Sequence, residues 1–430
     1  MQGIERIGKQ TAAHANALLD EASIEPLVIE PPATECEVCV VVPVRDEAEH
    51  LVATLNALAH QIDLQGKPLH HSRYEIILLA NNCCDDSAAI AREFAQQHPS
   101  LALHVVEITL PKAEAYIGKV RRLLMNEAYR RLQSIGRDRG VIASTDGDTR
   151  VAPTWIAATL AEISRGADAV GGRIITDRAE RSQLDPYARL CHLREVGYRY
   201  LLTELETYLD PEPYERWPRH YQHYGASLAV TAQMYARVGG MPAVRTPEDV
   251  AFYQALVRVD ARFRHSPAVK VITSARQTGR AKNGLAHQLR EWTAMGHKHQ
   301  PFIVESVARS EQKLQARRKL RLLWMRSRLH QLNEYEIAQC AQEWGVSLAW
   351  LAAELYQSPT FGLLRERVRE KQVIELERDC HQEISQAIAE LRSRLSHLRK
   401  TPPIYLNPLE QVKPILLFPL SVQMPQVRIS

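Results

Sequence analysis

Four times between residues 38 and 166, a short apolar run gives way to a polar loop and then to an apolar pattern of helical period. This alternation constrains the chain more than any other feature, because strands that alternate with helices build a parallel α/β sheet. Val38 to Val42 is β-branched and apolar, fit for a buried parallel strand. Asp46 followed by Glu49 has the form of a capping box, and Leu51, Leu55 and Leu58 then share one helix face. The plan repeats with a strand at 75–80 and a helix from about 87. "LALHVVEI" is a third strand, followed by the helix "GKVRRLLMNEAYRRLQSIG". "GVIAST" is a fourth, and "APTWIAATLAEISRG" is its helix, with Pro153 at the first position and Gly166 at the end.

From about residue 168 the pattern changes. "ADAVGGRIIT" reads as a strand, and 178–224, richer in Tyr, Arg and Pro, as helices and loops. Beyond Gly284 the chain is helical and charged to about 400, and the Pro-rich stretch after it is no helix. The expected division is an N-terminal extension (1–36), an α/β domain (37–283) and a mainly helical region ending in a Pro-rich tail (284–430).

Composition narrows the function classes. The net charge of +4 over 430 residues is too small to point to nucleic acid. No apolar run approaches the ~20 residues that cross a bilayer, and the first residues have no signal-peptide core, so a cytoplasmic protein is expected. The cysteine count of seven is odd. Cys36 and Cys39 form a lone CxxC without a second pair to complete a zinc site, and Cys83 and Cys84 are adjacent, so reduced structural thiols are expected.

The fourth strand ends in Asp146-Gly147-Asp148. Gly147 permits a sharp turn, and two acids converging there are costly unless a cation neutralises them. Mn²⁺ or Mg²⁺ favours such ligands; a solvated loop is the plain alternative. Ligands of open α/β sheets bind beyond the carboxyl ends of the strands. The loops expected there carry Pro43, Arg45, Glu47, Asn81, Asn82, Asp85, Lys112, Lys119, Asp146 and Asp148, a rim suited to a nucleotide diphosphate and a metal. Neither GxGxxG nor a P-loop occurs, so a metal and basic side chains are left to neutralise phosphate.

Taken together, "VVVPVRDEAEHL", "EIILLANNCCDDS", "ASTDGDT" and "GASLAV…VGG…EDVAFYQAL" resemble the family 2 glycosyltransferases over roughly residues 37–280. The resemblance implies the GT-A fold, a UDP-, GDP- or dTDP-sugar donor, a hydroxyl acceptor and a divalent metal. It makes Asp148 the metal ligand and Asp146 its partner, facing ribose or sugar. It makes Asp249 the general base of an inverting transfer, with Glu248 beside it; the plain alternative is that both acids open a helix. His265 stands where some GT-A enzymes supply a third metal ligand. Arg276 and Arg280 flank a Gly-containing loop that could close on phosphate, or else are two solvated arginines, while Lys119, Arg121 and Arg122 are either phosphate contacts or an exposed helix start. The chain departs from the family at Ala80, where many members have an Asp that contacts the base; Asn82 would hydrogen-bond a base edge instead. The QxxRW motif of processive members is not evident.

Residues 309–330 are basic with Leu320, Leu323 and Trp324 interleaved. They suit a peripheral membrane contact or an anionic acceptor site, or else a helix packed on the α/β domain with a solvated basic face. "IAQCAQEWGVSLAWLAAEL" has the look of a helix-turn-helix without a base-reading helix. Two other functions stay open: a retaining GT-A transferase acting on a small phosphorylated acid, and a non-catalytic GT-A binding module.

Overall fold

The computed structural model describes residues 26–212, 214–277, 279, 284–372, 380–401 and 403. The N-terminal extension up to residue 25, Arg280 and the tail beyond 403 lie outside the described residues. The sequence alternation becomes β1 (Val38–Val44), α1 (Ala48–Ala59), β2 (Tyr74–Asn81), α2 (Ser87–Gln97), β3 (Leu103–Ile108), α3 (Ile117–Ser134) and β4 (Val141–Ser144). Then come β5 (Thr149–Val151), α4 (Trp155–Ser164), β6 (Ala169–Thr176), α5 (Arg178–Ser182), α6 (Pro186–Leu209), β7 (Leu228–Thr231), α7 (Ala232–Arg237), α8 (Glu248–Arg258) and β8 (Phe263–Thr273).

These strands form one eight-stranded sheet, ordered β3-β2-β1-β4-β7-β6-β8-β5. β1 pairs parallel with β2 and β4, and β2 with β3. β7 runs antiparallel to β4 and β6, and β5 antiparallel to β8. The parallel plan therefore holds for the first half, while the second half is mixed.

Every residue of β1 and β2 is buried, as a strand covered on both faces requires. Side chains alternate across the sheet. Val38, Val40 and Val42 pack with Leu51, Leu55 and Leu58 on one face. Cys39 and Val41 pack with Leu124, Met125 and Ala128 of α3 on the other.

Two local expectations are corrected. Asp46 and Glu49 form no capping box: Glu47 is the N-cap and its side chain makes no cap bond. Asp46 sits at φ +49° and accepts the Cys84 amide at 2.5 Å, so its carboxylate ties two loops together. Pro153 precedes the N-cap Thr154 instead of opening α4, whereas Gly166 does end that helix, at φ +104°.

The C-terminal region contains α9 (Leu285–His297), β9 (Ile303–Glu305), α10 (Val307–Arg328), α11 (Glu334–Glu343), α12 (Leu348–Gln357), α13 (Phe361–Lys371), β10 (His381–Glu383) and α14 (Ile384–Leu398). Leu320, Leu323, Ile337, Leu351, Leu355 and Leu364 give α10–α13 a core of their own. Leu391 and Leu395 of α14 pack on Tyr198 and Leu205 of α6.

Charged groups join the two parts. Asp210 is paired with both Arg317 and Arg321, and Glu206 lies 2.5 Å from Arg219 and 2.6 Å from Arg317. Burial alone would raise the Asp210 carboxyl, but the two arginines hold it below its ordinary range. Further along the basic helix the pairs are more exposed: Lys319 with Glu343, and Arg326 with Glu336. No described helix is long and apolar enough to cross a membrane.

The CxxC thiols are free and buried, as expected. Cys39 donates to Glu75 at 2.8 Å. The sulfurs of Cys36 and Cys39 and a Glu75 oxygen lie within 4.8 Å of one another. Arg131, however, already holds Glu75 at 2.8 and 2.5 Å.

Candidate active site

The acids of the fourth strand and of the Glu-Asp pair meet at the carboxyl end of β4. They are brought together by Arg121, the fifth residue of α3, which the sequence left between phosphate contact and exposed helix start. It is fully buried. Its Nη2 donates to Asp146 at 3.0 Å, its Nε to Glu248 at 3.2 Å and its Nη1 to the Gly225 carbonyl at 3.2 Å, with Ser144 also in contact. Burial opposes the charge, yet Asp146 and Glu248 raise the guanidinium above its ordinary range. Glu248, 5% exposed, is raised by burial despite Arg121.

Asp249 stands at the second position of α8. Its Oδ2 accepts the Gly225 amide at 2.9 Å, and its Oδ1 accepts the Val250 amide at 2.7 Å. Gly225 thus touches both sides of the site: its carbonyl meets Arg121 and its amide meets Asp249. A Cβ there would lie 2.4 Å from the guanidinium, so any larger residue would push Arg121 from its place.

Asp148 has a different partner. Arg276, in the loop after β8, places Nη2 at 3.1 Å from its Oδ2 and 2.6 Å from Oε1 of Glu47. Burial, then Asp146 and Glu47, push the Asp148 carboxyl up to about 6 against Arg276. Gly147 makes room for this: a Cβ there would stand 3.1 Å from Cγ of Glu47.

The other expected residues separate into groups. Pro43 is a buried strand residue paired with Leu79. Arg45 is exposed and reaches the Ala115 carbonyl at 3.4 Å. Asp85 accepts the Ala48 amide at 3.0 Å and the Ser87 amide at 3.0 Å, organising two helix starts. Lys119 lies in the first turn of α3, half-buried. Asn82, expected at a base edge, donates its amide to the Leu110 carbonyl and accepts the Leu110 amide, both at 3.0 Å, so it already pins the loop after β3. Its neighbour Asn81 is buried, with an Oδ1 that has no partner.

His265 is also corrected. It pairs with Gly171 in the sheet, whereas the Asp148 end is marked by Thr273, which pairs with Thr176 and Thr149. Five residues of β6 separate the two positions, roughly 16 Å at about 3.3 Å each. Its Nδ1 lies 2.6 Å from Glu215, and its ring is packed against Phe263 at 4.6 Å. Glu215 holds it in the protein interior, away from the aspartates.

The carboxylate partners of Arg121 and Arg276 were not assigned from sequence, although the burial of Arg121 left a signal. It precedes Leu124, Met125 and Ala128 by three, four and seven residues, so it shares their apolar face, where an arginine is buried only if paired. Arg276 left none, because its partners lie far away in the chain. Cavity size misleads here: a hollow of about 460 Å³ lies beside Glu37, Arg73 and Arg139, at the opposite end of the strands. The cavity that reaches Asp148 measures only about 30 Å³.

Residues 39–214 match the model of glycosyl transferase family 2. The matched segment spans β1 to β6 and includes Asp146-Gly147-Asp148, so residues 39–214 have the sequence pattern of a family 2 glycosyl transferase domain. No curated protein matches the chain. Among solved structures, it is similar to a mannosyltransferase from Pyrobaculum calidifontis in complex with GDP-Man and Mn²⁺ at 16% identity, covering 92% of each chain, with a TM-score of 0.37. TarS 1–349 from S. aureus in complex with UDP-GlcNAc is 14% identical over 79% of this chain and 94% of that one, TM-score 0.40. Glucosyl-3-phosphoglycerate synthase from Mycobacterium tuberculosis, in complex with Mn²⁺, UDP-Glc and phosphoglyceric acid, is 13% identical over 62% and 81%, TM-score 0.33.

Proposed function

We propose that this protein transfers a sugar from a nucleotide-sugar donor to a hydroxyl acceptor with inversion, Asp249 acting as general base. One observation carries this reading: Arg121 bonds both Asp146, beyond β4, and Glu248, at the start of α8. Two acidic motifs far apart in sequence thereby face one place at the end of the sheet.

The chemistry follows from the carboxylates. Each Asp249 oxygen accepts one backbone amide, and a carboxylate oxygen has room for a second hydrogen. The acceptor hydroxyl gives its proton to Asp249 while its oxygen bonds to the anomeric carbon. The bond from that carbon to the diphosphate oxygen breaks, and the diphosphate leaves with the electron pair. Attack opposite the leaving group inverts the centre, and one base suffices.

The residues present suit a divalent cation. Arg276 stands in for it: a positive group already lies among the acids, 3.1 Å from Asp148 and 2.6 Å from Glu47. Asp148 would hold the cation from the protein side, with diphosphate and water supplying other ligands, as Mg²⁺ is commonly bound. Asp146, tied to Arg121, is left to orient the donor. When bound, the cation would offset the charge that develops on the diphosphate. The retaining alternative drew on His265 and on Arg276 and Arg280; His265 lies away from the aspartates, whereas Arg276 stands beside Asp148.

Two variants test the reading. Asp148→Ala should remove the Mn²⁺-dependent thermal shift given by UDP, GDP or dTDP; an unchanged shift in a folded variant would overturn the metal role. Asp249→Asn should lower turnover by at least about a hundredfold with little change in nucleotide affinity, since general base catalysis contributes roughly 10²–10⁴-fold. Near-normal turnover would mean that the base lies elsewhere.

A further inference from the structure

Arg276 is held where it can do more than meet phosphate. Its loop is fastened at the base: the Ser274 amide donates to the Asp148 carbonyl at 3.3 Å, the Arg276 amide to Ser274 Oγ at 3.2 Å, and Ser274 Oγ and the Ala275 amide reach Glu180 at 2.6 and 2.7 Å. From there one nitrogen, Nη2, serves Glu47 and Asp148 at once. The side chain is 27% exposed, against 10% for Glu47 and 17% for Asp148, so the cation covers the two acids from the solvent side.

We propose that Arg276 is the resident counter-ion of the metal position, displaced from Asp148 by the incoming divalent cation and taken up by the donor diphosphate, so that metal and nucleotide bind as a pair. This inference rests on the metal reading above. Charge makes the argument. Glu47 and Asp148 carry two negative charges and Arg276 one positive. A bare divalent ion entering this group must compete with the guanidinium and leaves the site with a net positive charge. A nucleotide-sugar diphosphate supplies the missing negative charge, and the freed guanidinium suits it, since arginine bonds phosphate oxygens in pairs. Arg276 therefore opposes the metal alone and favours the metal with its nucleotide.

The two halves predict effects of opposite sign for Arg276→Met. Free Mn²⁺, measured by electron paramagnetic resonance without nucleotide, should bind at least about fivefold more tightly than to the natural protein. UDP, GDP or dTDP, whichever gives the largest Mn²⁺-dependent shift, should bind at least about fivefold more weakly at saturating Mn²⁺, the lower end of ordinary coupling between sites. Arg276→Gln replaces the first variant if that one fails to fold. Unchanged or weaker Mn²⁺ binding, or nucleotide binding that does not fall, overturns the inference. Asp148→Ala separates the two claims. If it abolishes Mn²⁺ binding while Arg276→Met has no effect, only this inference falls. If it leaves Mn²⁺ binding intact, the metal reading falls with it.

Discussion

At the scale of single residues, the site is governed by arginines more than by its acids. Arg121 neutralises Asp146 and Glu248 and holds the Gly225 carbonyl. Breaking a buried pair by removing one partner costs about 3–5 kcal/mol, because a charge is left uncompensated. Arg121→Met should accordingly lower the melting temperature. Arg121→Lys keeps the charge but not the fork, and should fold while losing turnover, because one ammonium cannot meet all of these partners along the same directions. Thermal melts with donor hydrolysis in Mn²⁺ decide it: full turnover in Arg121→Lys would mean that only the charge matters.

At the scale of elements, Asp249, the proposed base, is presented by the packing of α8 against α3. Gly118, in the first turn of α3, lies under the loop that leads into α8, and a Cβ there would stand 1.9 Å from the Val244 carbonyl oxygen. That oxygen belongs to backbone, so the loop itself must move. Gly118→Ala is expected to shift Glu248 and Asp249 together and to destabilise by about 1–3 kcal/mol, the usual cost of overpacking. Turnover should fall more than nucleotide affinity, because Asp146 and Asp148 stand on a different loop. Equal losses in both would show that the disturbance spreads through α3 to the donor side. Helix α13 repeats the device against α8, where a Cβ on Gly362 would lie 1.8 Å from the Val257 carbonyl oxygen.

At the scale of the whole molecule, buried neutral histidines make the fold sensitive to acid. Burial lowers His192 to about 4 and both His220 and His223 to about 3, each with help from a neighbouring cation or histidine. The unfolded chain protonates these groups near 6.5. Below that value the unfolded state binds more protons, so stability is undiminished above about pH 6.5 and is lost as pH falls towards the folded values. Asp148, raised to about 6, and Glu248 and Asp260, also raised, act in the opposite sense, while Asp210 and Glu215, held low by their cations, add to the loss on acidification. The melting temperature should therefore drop between pH 7 and pH 5, and His220→Gln should flatten the drop. A melting temperature that rises on acidification would contradict the assignment.

Much of this was legible in the chain. Apolar periods of two and of 3.6 residues are local, and they placed β1 to β4, the helices between them and the turn at Gly147. The ends of those strands also marked where Asp146 and Asp148 would gather, since parallel strands deliver their carboxyl ends to one edge. The opening of α8 at Glu248 was legible for the same reason. The partners of these residues were not. Arg121 reaches Asp146 and Glu248, Arg276 reaches Glu47 and Asp148, and Glu215 draws His265 away. Each of these pairings joins residues on separate elements, and nothing local records which charge a buried charge will meet. Hydrophobic pattern is a property of neighbours in sequence, so the chain alone determined the sheet and its acidic edge. Charge pairing depends on distance in space, so only the tertiary structure decided which carboxylates meet which arginine and which histidine belongs to the core.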